Sequence, residues 1–159
     1  MRKSSLVFLQ VVVVLIAIGV LFLLLWFPHI EGRNAQATNF EIYFKDPFLA
    51  FAYLGSLSIF IGLYKAFRIL GYTRQNKAFT SETIKAFRTI KYCAIVLIGF
   101  VVVGEVFIFL NSGSDDRAGG VMLGVLIAFG SVITATAAAV FERLLQNAVD
   151  IKSENDLTV

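Results

Sequence analysis

Four long apolar stretches constrain this chain more than any other feature of its sequence. They cover 6–27, 47–63, 92–110 and 121–141. A helix needs roughly 20 mostly apolar residues to cross the hydrocarbon core of a bilayer, which is about 30 Å thick. Because 58% of the residues are hydrophobic and only 16% are charged, the sequence predicts an all-α integral membrane protein, a bundle of four transmembrane helices.

Helical extensions beyond the apolar runs are expected, so the spans should cover about 6–27, 47–70, 84–110 and 119–151. These spans and their connections account for a single membrane domain, 1–159, and leave no room for a separate catalytic domain. The first span is too long for the apolar region of a cleaved signal peptide, and it is expected to stay in place as an anchor.

Local signals predict where the elements begin and end. Pro28 should end the first helix, and Pro47 should begin the second, because proline suits the first helical position. Gly71 should end the second helix. Between these helices, apolar and polar residues alternate over 40–45, a period of two that predicts a short extended segment.

The distribution of basic residues predicts the orientation. The connection between the second and third spans, 64–91, carries seven lysines and arginines and one acid, Glu82. Short loops rich in Lys and Arg stay on the cytoplasmic side of a membrane. With an even number of spans, both termini should also be cytoplasmic.

The same cytoplasmic connection is a candidate surface for lipid or for a protein partner. A helix capped at Ser81 would lie at the interface, ahead of the third span. Its cations could serve only to fix topology and to hold lipid, which is the favoured interpretation, or they could form a partner site. The residues of this surface are Phe79, Thr80, Glu82, Lys85, Arg88 and Lys91.

Glu105 is the most unusual residue within the spans. A carboxylate in hydrocarbon is costly unless it is paired, protonated or hydrated, so an intramembrane acid is a functional candidate. Glu105 lies five residues before Leu110, about 7 to 8 Å from the outer end of its helix. Tyr53 lies at a similar depth on the second span and is its expected partner. A structural hydrogen bond is favoured over proton or ligand chemistry.

The fourth span carries a row of small residues on one helical face. Such a face lets helices approach closely. Packing within the chain is the favoured interpretation, and homodimerisation through the same face is the alternative. The row consists of Gly120, Gly124, Ala128, Ser131, Ala135 and Ala138.

The last helix is expected to continue into the cytoplasm as an amphipathic extension. Its apolar residues fall at i, i+3, i+4, i+7 and i+8 from Phe141. This extension could lie on the membrane, pack on the basic connection or bind a partner. The acidic tail could dock on Lys85, Arg88 or Lys91, and its candidate residues are Glu154, Asn155, Asp156 and Leu157.

The four spans, the loop over 76–82 and the Glu-Asn-Asp-Leu-Thr-Val ending together resemble the YoaS-like family of small bacterial membrane proteins. This family is a domain of unknown function of the DUF2975 type. Its members are often encoded beside a small helix-turn-helix regulator, so the resemblance implies a membrane-bound regulatory partner. It also implies the inner membrane of a bacterial cell as the location, and it implies no catalytic residue.

Enzymatic activity is not expected from this sequence. The chain has one histidine, His29, and one cysteine, Cys93, and it lacks the spacing of a metal site, a phosphate loop or a nucleophile elbow. No cofactor or metal is predicted. The net charge of +3 follows from topology and does not indicate direct binding of nucleic acid.

Three functional hypotheses remain. The leading one is a regulatory or interaction protein that binds a cytoplasmic partner, such as a small helix-turn-helix protein. The second is an oligomeric transporter or immunity-type membrane protein that uses Glu105. The third is a membrane-structural protein that senses lipid through its basic connection.

Overall fold

The computed structural model describes residues 3–30, 38–44, 47–111 and 114–156, and all its regular elements there are helices. Within these residues, four helices are long and apolar enough to cross a membrane. The prediction of an all-α protein with four candidate spans is therefore confirmed. The helices are α1 (Lys3–Ile30), α2 (Asn39–Phe44), α3 (Pro47–Arg74), α4 (Ser81–Asn111) and α5 (Ser114–Asp156).

The long helices differ in length, and α5 is the longest. Helices α1 and α3 have 28 residues each, α4 has 31 and α5 has 43. At a rise of 1.5 Å per residue, α5 is about 65 Å long, roughly twice the thickness of the hydrocarbon core. The bilayer can therefore enclose only part of α5.

The four long helices pack antiparallel, each against the next one in the chain. Extensive contacts join α1 to α3, α3 to α4 and α4 to α5. Phe100 of α4 packs on Gly55 of α3, and Ile108 of α4 packs on Gly120 of α5. Within the described residues, α1 and α5 make no such extensive contact with each other. The bundle is therefore open between its first and last long helices.

Pro28 does not end α1, which continues to Ile30. A proline inside a helix removes one backbone donor and leaves the carbonyl four residues earlier without its usual partner. That carbonyl belongs to Leu24, and it accepts a hydrogen bond from the Tyr53 hydroxyl at 3.1 Å. The helix can pass through the proline because α3 supplies the missing donor.

Gly71 does not end α3 either, and the helix runs one turn further, to Arg74. The stop is at Asn76, whose φ of 59° is in the left-handed region. The N–H of Lys77 donates to the carbonyl of Tyr72 at 2.9 Å, and the N–H of Asn76 donates to the carbonyl of Thr73 at 3.1 Å. These two bonds form a Schellman motif, in which asparagine takes the place of the usual glycine.

The prediction of an extended segment over 40–45 is wrong, because the described part of it is the helix α2, Asn39–Phe44. Thr38 and Glu41 form a capping box at its start. The Thr38 N–H donates to Glu41 Oε2 at 3.1 Å, and the Glu41 N–H donates to Thr38 Oγ1 at 3.4 Å. The helix-capping hydrogen bonds therefore determine the local structure, and the alternation of apolar and polar residues does not produce a strand.

The interfacial helix expected from Ser81 is not a separate element. It forms the first turns of α4, which is continuous from Ser81 to Asn111. No proline interrupts this segment, so the backbone hydrogen bonds continue from the charged turns into the apolar ones.

Candidate functional site

Two regions hold most of the predicted site residues. One is the α4–α5 interface around Glu105. The other is the end of the bundle where α1 begins, α3 turns into α4, and α5 passes Glu142. We call this second region the basic end, because it carries Lys65, Arg68, Lys85, Arg88 and Lys91.

The carboxyl group of Glu105 packs directly against the backbone of Gly124 on α5, where a Cβ atom would overlap it. Its Oε2 atom is buried and has no hydrogen-bond partner within the described residues. A buried carboxylate without a partner is costly, and the cost is greatest in a membrane. This interface therefore places one unsatisfied acid beside a glycine that makes room for it.

Tyr53 is not the partner of Glu105, and this prediction is wrong. Its hydroxyl donates to the carbonyl of Leu24 on α1. Similar depth along two helices predicts this pair, but depth does not determine which neighbouring helix a side chain reaches. The Tyr53 hydroxyl instead donates to the Leu24 carbonyl, which Pro28 leaves without its usual backbone donor.

The row of small residues on α5 lies along α4. Ser131 and Ala138 are 6% and 3% exposed, and Gly120 lies against Ile108. The Ser131 hydroxyl donates to the carbonyl of Ile127 at 2.7 Å, so this buried side chain is paired within its own helix. Ala128 and Ala135 are half-buried on the same face. The structure thus places this face between two helices of one chain.

The turn between α3 and α4 is held by two threonines. The hydroxyls of Thr80 and Thr83 both donate to the carbonyl of Lys77, at 3.0 and 3.2 Å. Thr83 is only 2% exposed, so it ties the turn to the bundle. Phe79 is 64% exposed, and Glu82 is exposed beside it. The turn therefore presents an aromatic ring and a carboxylate to its surroundings.

Sequence reasoning missed Glu142, which ties α4 to α5 at the basic end. Its Oε1 accepts from Arg88 Nε at 2.6 Å, and its Oε2 accepts from Lys91 Nζ at 2.7 Å. The Glu142 side chain is 12% exposed. Arg88 and Lys91 are therefore already paired with a carboxylate of α5, and the acidic tail would have to share them with Glu142.

Counting residues could have found this contact. Arg88 and Lys91 lie about 20 residues before the far end of α4, and Glu142 lies about as far from the start of the fourth apolar run. In antiparallel neighbours, equal counts mean equal depth. Lys85 is exposed and, within the described residues, has no salt bridge.

The end of α5 has two apolar faces. Leu145 and Val149 are half-buried, on the same side as the buried Glu142. Phe141, Leu144 and Ile151 are 51%, 59% and 60% exposed. We call these three residues the outward stripe. The Phe141 ring also stacks on Phe87 of α4, with the ring centres 5.4 Å apart, so only part of it faces outward. The candidate residues Glu154, Asn155 and Asp156 lie at the end of α5, and Leu157 lies outside the described residues.

Within the described residues, no group of three or more His, Cys, Asp or Glu side chains could hold a metal ion. Cys93 is a free, half-buried thiol. An open groove of about 330 Å³ lies between α4 and α5 beside Glu142. The second groove, of about 270 Å³, lies on one face of α1 and is lined by Phe22, Leu25, Trp26 and His29.

Comparison with known proteins agrees with a membrane protein. The family described as "Protein of unknown function (DUF2975)" matches residues 31–159. The chain is 36% identical over 160 residues to the "Uncharacterized membrane protein YoaS" of Bacillus subtilis (strain 168), and the alignment covers 100% of both proteins. No solved structure matches. The resemblance inferred from the loop and the tail is confirmed, and the chain belongs to the DUF2975 family of membrane proteins.

Proposed function

We propose that this chain is a regulatory or interaction protein of the bacterial inner membrane, with both termini in the cytoplasm, that binds a soluble protein at its basic end. The observation that carries the proposal is the outward stripe on α5. The clustered cations of the basic end support the orientation, because basic connections are retained in the cytoplasm.

The length of α5 supports an extension beyond the bilayer. Its candidate span begins at Ala118, and roughly 20 residues are enough to cross the hydrocarbon core. The crossing is then complete near Val140. The rest of the helix, 141–156, is about 24 Å long at 1.5 Å per residue. Its first turns lie among the lipid headgroups, and the turns beyond them are long enough to present a binding surface in the cytoplasm.

The outward stripe supports a helical mode of recognition. Phe141 and Leu144 are three residues apart, and Ile151 follows after two further turns, with half-buried Ala148 between them. Residues at these spacings form a single line along a helix. An exposed apolar line on an amphipathic helix fits an apolar groove on a partner protein.

The partner proposed is a small helix-turn-helix regulator, as the family resemblance implies. The membrane protein would hold such a regulator away from DNA, without catalysis of its own and without touching nucleic acid. The exposed ring of Phe79 and the exposed carboxylate of Glu82 offer further contacts for a partner at the turn before α4.

Cross-linking and affinity purification of the tagged protein from its native membrane test this proposal. Proteins recovered with it are identified by mass spectrometry. The variant Leu144→Glu with Ile151→Glu should lose a captured regulator, because it places charge in the outward stripe. The matched control is Asn147→Glu, an exposed position on the same helix, and it should retain the partner.

Two outcomes would overturn the proposal. One is equal capture by the stripe variant and the control. The other is recovery of the protein alone, which would favour a homo-oligomer. Deletion of 154–159 measures separately whether the acidic tail contributes to capture.

A second candidate function is transport or immunity-type activity that uses Glu105, and its buried, unpartnered Oε2 atom favours it. This function requires that Glu105→Gln abolish proton or solute flux in vesicles while the amount of folded protein stays the same. Unchanged flux in that variant would exclude the role.

A further inference from the structure

The groove beside Glu142 combines charged and apolar walls. Arg88 and Lys91 of α4 form one side, and Val140, Arg143 and Gln146 of α5 form the other. Its volume is about 330 Å³. Three cations against one carboxylate, Glu142, give these walls a net charge of +2.

Much of this positive charge is available to a ligand. Glu142 bonds Arg88 through Nε only, so the two terminal nitrogens of that guanidinium make no hydrogen bond within the described residues. Arg143 is exposed and has no salt bridge among the described residues. Glu142 fixes Arg88 and Lys91 side by side, and the outer half of the guanidinium and Arg143 remain open to an anion.

The groove lies at the depth of lipid headgroups. About 20 residues separate Arg88 and Lys91 from the far end of α4, and Glu142 from the start of the fourth apolar run, which matches the thickness of the hydrocarbon core. On the bilayer side of the charges, the wall consists of Thr136, Ala139 and Val140, and the Thr136 hydroxyl donates to the carbonyl of Val132 in its own helix at 2.8 Å. The Lys91 ammonium also lies over the ring of Tyr92, 5.1 Å from its centre, an aromatic residue suited to the interface.

We propose that this groove binds the phosphate of an anionic phospholipid. Arg143 and the terminal nitrogens of Arg88 contact the phosphate oxygens, and an acyl chain lies against Ala139 and Val140. Arginine suits this role because its planar donors match phosphate geometry. Basic pockets between membrane helices on the cytoplasmic side are known to bind such headgroups. The site is separate from the outward stripe and does not depend on the proposed partner.

Native mass spectrometry of the full-length protein in detergent tests the site. The protein is titrated with phosphatidylglycerol, with phosphatidylcholine as the zwitterionic lipid, and with inorganic phosphate as the free anion. The test variant is Arg143→Gln, which removes an exposed cation without a described partner. The matched control is Lys152→Gln, an exposed cation on the same helix and outside the groove.

The expected result is one tightly held phosphatidylglycerol molecule, with about fivefold weaker binding in Arg143→Gln and no change in Lys152→Gln. Both variants should keep the helicity and melting temperature of the native protein. Equal weakening in both variants would show general attraction to charge and overturn the site. Equal binding of phosphatidylcholine, or equally tight binding of inorganic phosphate, would overturn the assignment to an anionic lipid.

Discussion

The hydroxyl of Tyr53 donates a hydrogen bond to the carbonyl of Leu24, at 3.1 Å, across the α1–α3 interface. Leu24 is four residues before Pro28, so its carbonyl lacks the usual intrahelical donor. Inside a bilayer no water is at hand to replace that donor. One tyrosine therefore both allows a proline in a membrane helix and joins α1 to α3.

Tyr53→Phe should destabilise the protein by about 0.5 to 2 kcal/mol, because it leaves the Leu24 carbonyl without a donor. Pro28→Ala restores the backbone N–H that this carbonyl would otherwise use. In the Pro28→Ala background, Tyr53→Phe should therefore cost much less. Unfolding in mixed micelles of increasing denaturing detergent, followed by loss of helical circular dichroism, measures all four proteins of this cycle.

An equal cost of Tyr53→Phe in both backgrounds would show that Pro28 is unrelated to the bond. The same assay tests the independence of Tyr53 from Glu105. Since these side chains are not bonded to each other, the effects of Tyr53→Phe and Glu105→Gln should add.

Gly124→Ala should destabilise the α4–α5 interface, because a Cβ atom at this position would overlap the Glu105 carboxyl group. Gly119→Ala and Gly130→Ala are matched controls on the same helix, since nothing lies within 4 Å of a Cβ atom at either position. These controls should be neutral or more stable by up to about 1 kcal/mol, the helix preference of alanine over glycine.

The double variant Gly124→Ala with Glu105→Ala identifies the cause. Removing the carboxyl group opens the space that the new methyl group needs, so the double variant should recover most of the stability lost by Gly124→Ala. If the loss persists without the carboxyl group, the clash with Glu105 is not its source. Thermal stability in detergent, followed by fluorescence-detected size exclusion, provides the measurement.

Glu142→Gln should weaken the basic end by about 1 to 3 kcal/mol, because it removes the charge that binds Arg88 and Lys91. Asp150→Asn is the matched control. Asp150 is exposed and accepts a hydrogen bond from Gln146 of its own helix at 2.9 Å, a contact worth at most about 0.5 kcal/mol. Hydrogen exchange over 81–91 reports the local effect, and similar protection in both variants would contradict it.

The helical class and the four spans could be predicted from the sequence because hydrophobic length is set by the bilayer. Helix ends were harder, since they depend on contacts that a single segment does not reveal. Pro28 is tolerated only because Tyr53 serves Leu24. The capping box of Thr38 and Glu41 is a local sequence pattern, and it favours a helix over the extended segment that alternating apolar and polar residues predict.

The candidate site shows the same division. The unusual position of Glu105 and the small face of α5 follow from residue type and spacing, and both lie at the α4–α5 interface. The partners of polar side chains depend on which helices are neighbours and how they are rotated. For that reason the predicted pairing of Glu105 with Tyr53 failed, and the bridge from Glu142 to Arg88 was missed.

The register of α3 against α4 can be tested to within one residue by a disulfide. A Cβ atom built at Gly62 lies 4.0 Å from the Cβ atom of Cys93, within the separation of about 3.5 to 4.5 Å found in disulfides. Gly62→Cys should therefore form a disulfide with Cys93 under mild oxidation in membranes.

Gly71→Cys is the matched control, because its nearest neighbour outside α3 is Gln10 of α1, and it should leave both thiols free. Labelling with a polymer-linked maleimide, before and after reduction, counts the free thiols on a gel. Successive residues of a helix are rotated by about 100°, so a shift of one position would carry the new thiol away from Cys93. A Gly62→Cys protein whose two thiols both stay reactive would refute this packing.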